Sequence, residues 1–117
     1  DNPDAWASFG IGTPNMHLSA LLNTYDQTYG VELWIDNLEA YERVLPLREE
    51  FDARWLAEVG AVPDWDAYDE DKKSRHIVIR NSADYDSDDW NGIYQWIMDW
   101  FFRIHELALV ANHIETN

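Results

Sequence analysis

The chain has 117 residues, of which 46% are apolar and 15% aromatic, and acids outnumber bases 23 to 8 for a formal charge of −15. This is enough apolar material for one compact core and too little for two domains, and the aromatic content keeps the charge from signifying disorder. The charge argues against binding nucleic acid or anionic membranes through a general electrostatic footprint, and the absence of cysteine excludes a disulfide framework and thiol catalysis.

The chain opens on Asp1 rather than methionine, the expectation for a chain processed or cut from a longer protein. No basic segment precedes an apolar run, so no signal peptide is expected and the location reads as cytoplasmic. Residues 1–14, with two prolines and two glycines, read as a linker or irregular arm, and 15–117 as a single α+β domain. Met16 to Leu22 and Val31 to Ile35 read as strands, the second with Val31, Leu33 and Ile35 on one face and Glu32 and Trp34 on the other. The polar stretch from Asn23 to Gly30 supplies a hairpin connection.

Asp36 and Asn37 are suited to cap a helix that runs to about Val59 and stops at Gly60. Tyr41, Val44, Leu45, Phe51, Trp55 and Val59 share one arc of it. Arg48 and Asp52, four apart, pair at its edge, and Pro46 kinks or splits it because it cannot donate to Glu42. A second hairpin is expected from Asp64 to Tyr68 and from Arg75 to Arg80, around the charged turn Asp69 to Lys73. The polar loop from Asn81 to Asp86 leads to Ser87, a cap for the last helix, with Asp88 and Asp89 in its first turn. The order ββαββα predicts an α+β fold in which an antiparallel sheet of about four strands carries two helices on one face.

The stretch from Trp90 to Val110 is long enough for a membrane span, yet Asp99, Arg103, His105 and Glu106 make it a buried helix of a soluble domain. Asn91, Gln95, Asp99, Arg103 and Glu106 form a polar arc of roughly 120°, and nearly everything else is apolar. A helix lying on one sheet needs a narrower apolar face. The surplus around Trp96, Trp100 and Leu107 therefore meets the first helix, another chain or a neighbouring domain, which makes these three the candidate interface residues.

The chemistry-bearing patterns are weak. Asp84, Asp86 and Asp88 open like a calcium loop, but Asp89 stands where a glycine is needed and Gln95 where a bidentate carboxylate is needed. His105-Glu106 resembles the start of a zinc-protease helix, but Leu109 holds the place of the second histidine and His113 is a further turn away. His17 and His76 stand alone. Asp64, Glu70 and Lys72 spell the letters of a magnesium nuclease motif, and a charged turn explains them as well. No phosphate-binding glycine loop and no nucleophile elbow are present. No catalytic residue, metal ligand or cofactor is assigned.

In order along the chain stand YGVELWID, Glu58-Val59-Gly60, Trp65, the turn lysines Lys72 and Lys73, Ser74-Arg75-His76-Ile77, and Trp90 with IYQWIMDWFFRIH. This series is similar to the prokaryotic domain-of-unknown-function family 4268, from roughly residue 9 to the end. The resemblance implies a C-terminal accessory module of a nuclease or defence protein, without family catalytic residues to carry over. The expectation is a non-catalytic interaction or regulatory module whose partner is a protein, either its own upstream domain or another subunit. A homodimer is admitted; direct nucleic-acid or membrane contact is not expected. Two alternatives stand beside it. One is a free-standing acidic mimic of DNA, built on the clusters Asp84–Asp89 and Asp64–Asp71, that occupies a basic partner. The other is a small metal-dependent nuclease or hydrolase using Asp64, Glu70 and Lys72.

Overall fold

The computed structural model describes residues 5–10, 15–23, 25–65, 75–82 and 90–116, with side chains described at 15–23, 25–65, 75–82 and 90–112. The elements are β1 (Ala5–Gly10), β2 (Met16–Asn23), β3 (Thr28–Ile35), α1 (Leu38–Val44), α2 (Arg48–Val59), β4 (Asp64–Trp65), β5 (Arg75–Ser82) and α3 (Trp90–Thr116). All strand pairs are antiparallel, in the spatial order β1-β2-β3-β5-β4. The α+β class and the ββαββα order hold, with one strand added. The irregular arm expected over 1–14 is corrected at its centre, where Ala5–Gly10 pairs with β2 from Ala5 opposite Leu22 to Gly10 opposite His17. Proline and glycine counts gave no sign of this strand.

The first hairpin is longer than its alternation indicates. Its turn is closed by Asn23, whose Oδ1 accepts from the Asp26 amide at 3.0 Å, and by Gln27 in the left-handed region at φ 54°. Gly30 is therefore not a turn residue. It lies inside β3, opposite Arg80, where a Cβ would come within 2.5 Å of the Ile79 carbonyl oxygen. Only glycine allows that approach between two central strands. Gly30→Ala is expected to cost about 1–3 kcal/mol through overpacking. The melting temperature should fall by roughly 5–10 °C in a thermal scan.

Asn37 caps α1, its Oδ1 accepting from the Ala40 amide at 3.0 Å. Pro46 resolves the kink-or-split alternative as a split. Leu45–Leu47 is a single 3₁₀ turn between α1 and α2, and α2 ends at Gly60 with φ 73°. The tighter turn also shifts the phase of the apolar arc. Tyr41, Val44, Phe51 and Trp55 are buried, whereas Leu45 and Val59, expected beside them, are exposed.

One face of the sheet carries the core. Val31, Leu33 and Ile35 of β3, Leu18 of β2 and Ile77 of β5 are fully buried beneath the helices. Helix α3 packs on α1, β3 and β2, α1 also touches β3, and α2 reaches the far edge. There the Trp65 indole donates to Asp52 Oδ1 at 3.1 Å and the Arg48 guanidinium lies over the Trp65 ring. The expected Arg48–Asp52 pair is present at 3.5 Å. The second hairpin is described at Asp64–Trp65 and at β5. Residues 66–74, which include Glu70, Lys72 and the rest of the charged turn, lie outside the described residues, as do 83–89 with Ser87 and the Asp84–Asp89 cluster.

Candidate interaction surface

Helix α3 has three sides. Ile93, Ile97, Trp100, Ile104, Leu107, Ala108 and Ala111 are buried against the sheet and the other helices. Trp55 of α2 meets Trp100 edge-to-face at 5.5 Å, and Trp96 meets Tyr29 of β3 edge-to-face at 4.9 Å. The polar arc is where the sequence placed it. Arg103 ties it down by donating to Asp99 at 3.0 Å and to Glu58 of α2, while Glu106 meets Arg54 at 3.1 Å. Partial burial lowers the Arg103 pKa, but the hydrogen bonds and charges of Asp99 and Glu58 more than offset this, leaving it raised.

The third side is apolar and open. Tyr94, Met98 and Phe102, spaced four apart, form a single ridge that Trp90 begins and Leu109 continues. Phe102 is 60% exposed and Tyr94 54%, although both are large aromatic side chains on a helix whose opposite side is fully packed. Isolated exposed apolar residues are ordinary on protein surfaces; a ridge of them along a 27-residue helix is not. The interface expectation is thus moved by a fraction of a turn. Trp100 and Leu107 lie inside the chain's own core and Trp96 is half-buried, Trp100 against Trp55 of α2 and Trp96 against Tyr29 of β3. The surplus of apolar face is nevertheless present, at Tyr94, Met98, Phe102 and Leu109.

Ala20 and Leu22 of β2 are partly buried against the core, and β1 forms that edge of the sheet. Phe101 is partly buried against the same core.

The other sheet face carries a polar-aromatic cluster that periodicity could not assemble. The strand register sets His17 beside Trp34 and Trp34 beside His76. His17 stacks on Trp34 with ring centroids 6.2 Å apart, His76 tilts over it at 4.0 Å, and His76 Nδ1 lies 2.7 Å from Glu32 Oε2. The two histidines that stood alone in the sequence therefore flank one indole. Glu32 fixes the orientation of the His76 ring, while Trp34 stands between the imidazoles and keeps them from converging on one ion. Among the described residues no group of three His, Asp or Glu side chains could hold a metal ion. Asp64 is exposed on β4, apart from this cluster's Glu32–His76 pair by the buried Val78 between them in register. On α3, His105 packs against Phe101, and the side chain of His113 lies outside those described. No described helix is long and apolar enough to cross a membrane.

Residues 1–109 match the family model described as a domain of unknown function (DUF4268), and the chain belongs to that family. No curated protein and no solved structure matches the chain.

Proposed function

We propose that this member of the family is a non-catalytic interaction module that docks on a protein, its own neighbouring domain or another subunit, within a nuclease or defence assembly. The observation that carries the reading is the open ridge of Tyr94, Met98, Phe102 and Leu109 on a helix otherwise committed to the core. Leaving such a ridge in water forgoes about 25 cal/mol for each Å² of apolar surface that a partner would cover. Aromatic and methionine side chains are also the types enriched where protein surfaces meet. The test is differential. Tagged wild-type protein and the double variant Met98→Gln/Phe102→Gln are expressed in the native host, and the captured proteins are compared. A protein retained by the wild type and lost by the variant supports the module reading; identical captures overturn it.

A further inference from the structure

The first turn of α3 holds the one Asn-Gly dipeptide of the chain, Asn91-Gly92. Both residues are exposed. A side-chain carboxamide is stable until the backbone nitrogen of the next residue reaches its carbonyl carbon, and three features of this position permit that approach. Gly92 has no Cβ to obstruct its own nitrogen. Amides in the first turn of a helix have no acceptor four residues back within the helix, so the Gly92 nitrogen is not tied into the ladder as those of the following turns are. Glycine is also the weakest helix former apart from proline, and helix ends open first, so this turn samples the non-helical conformations that attack requires. Asn81, exposed before Ser82, makes the contrast. It lies in β5 with its Nδ2 donating to the Tyr29 hydroxyl at 3.0 Å, and the residue after it carries a Cβ.

We propose that Asn91 is a site of spontaneous deamidation and isomerisation, so that the protein accumulates aspartate and isoaspartate at the start of α3 as it ages. The Gly92 nitrogen loses its proton to hydroxide and attacks Asn91 Cγ. A C–N bond forms, the Cγ–Nδ2 bond breaks, and Nδ2 leaves as ammonia with a proton from water, giving a five-membered succinimide. Water then adds to one of the two imide carbonyls. Breaking the new Cγ–N bond leaves aspartate; breaking the original peptide bond leaves isoaspartate, with the chain running through Cγ. Either way asparagine and water have become a carboxylic acid and ammonia. Aspartate here adds a negative charge where the helix dipole favours one. Isoaspartate adds a methylene to the backbone, so the first turn loses its register and Trp90, whose ring centroid lies 6.1 Å from that of Tyr94, is uncoupled from the rest of the helix. The buried side of α3 begins at Ile93, so the core survives both products.

The test ages the intact chain in warm, mildly alkaline buffer, beside a sample in denaturant that sets the rate of each asparagine without structure. Peptide mapping by mass spectrometry locates each amide lost. Isoaspartate is counted with an isoaspartyl methyltransferase, which esterifies the displaced α-carboxylate with S-adenosylmethionine. In the folded chain Asn91 is expected to convert at least tenfold faster than Asn81 and every other asparagine, at a rate that rises with hydroxide. Gly92→Ala should slow the conversion at least tenfold while leaving the circular dichroism of the fold unchanged, and Asn91→Gln should remove the labelled peptide. Conversion of Asn91 in denaturant but not in the folded chain would show that the first turn holds the two groups apart, which overturns the proposal. An equal or faster rate at Asn81 overturns it as well, as does a Gly92→Ala variant that converts like the wild type.

Discussion

Trp55→Ala is expected to destabilise the domain by about 3–5 kcal/mol, the cost typical of truncating a large aromatic side chain in a packed core. Trp55 is fully buried, stands edge-to-face to both Phe51 and Trp100 at 5.5 Å, and joins α2 to α3. Nothing nearby can collapse into the space of an indole without pulling one helix off the other. Against a total stability of about 5–15 kcal/mol for a domain, such a loss is a large fraction. Urea unfolding followed by circular dichroism should show a markedly lower midpoint with little change in slope. The conservative variant separates packing from hydrogen bonding. Among the described residues the buried indole Nε1 has no hydrogen-bond acceptor, so Trp55→Phe forfeits ring volume alone. It should cost less than about 2 kcal/mol, because a buried donor with no acceptor contributes nothing that phenylalanine lacks. Equal losses for Phe and Ala would show that the indole N–H carries the stabilisation, through contact with the neighbouring rings.

The reverse result is expected on the other side of the same neighbouring helix. Met98→Gln/Phe102→Gln removes two large apolar side chains, yet Met98 is 46% and Phe102 60% exposed and neither belongs to the buried core cluster of the described residues. Glutamine is a good helix former, so stability should stay within about 0.5 kcal/mol for each site. Binding should fall at least tenfold, which is about 1.4 kcal/mol and modest for two side chains at the centre of an interface. Thermal unfolding of the variant beside its partner-binding curve checks both halves. A large drop in melting temperature would show that the ridge packs within the chain and would remove the reason for a partner. Trp55 and Phe102 thus form a pair of controls, one costing fold and the other costing association.

Much of the architecture was legible because it rests on local rules. The strict alternation of Val31, Leu33 and Ile35 placed a strand face toward the core, and all three are fully buried. Asn37 as cap, Pro46 as interruption and Gly60 as left-handed terminus are decided by backbone chemistry within a few residues of each. The polar arc of α3 and the surplus of apolar face opposite it were also present in the spacing alone.

Whatever depended on two distant segments was not legible. Periodicity shows that α3 has too much apolar surface but not which part α2 will take. Tertiary packing decided that: Trp100 meets Trp55, Leu107 is buried in the same core, and Tyr94, Met98 and Phe102 are left exposed. Strand β1 has no alternating signal strong enough to rise above the glycines and prolines of residues 1–14, and it exists through pairing with β2. Gly30 reads as a turn residue until β5 lies beside it, when the Ile79 carbonyl supplies its reason. The His17–Trp34–His76 row is a matter of register, which local sequence leaves open because sliding a strand by one residue exchanges its two faces. Composition and local spacing thus determined the class of fold, the start and end of the segment that holds α1 and α2, and the surplus of apolar surface on α3. Tertiary packing chose which side chains form that surface, since burial is settled between elements and a sequence is written one element at a time.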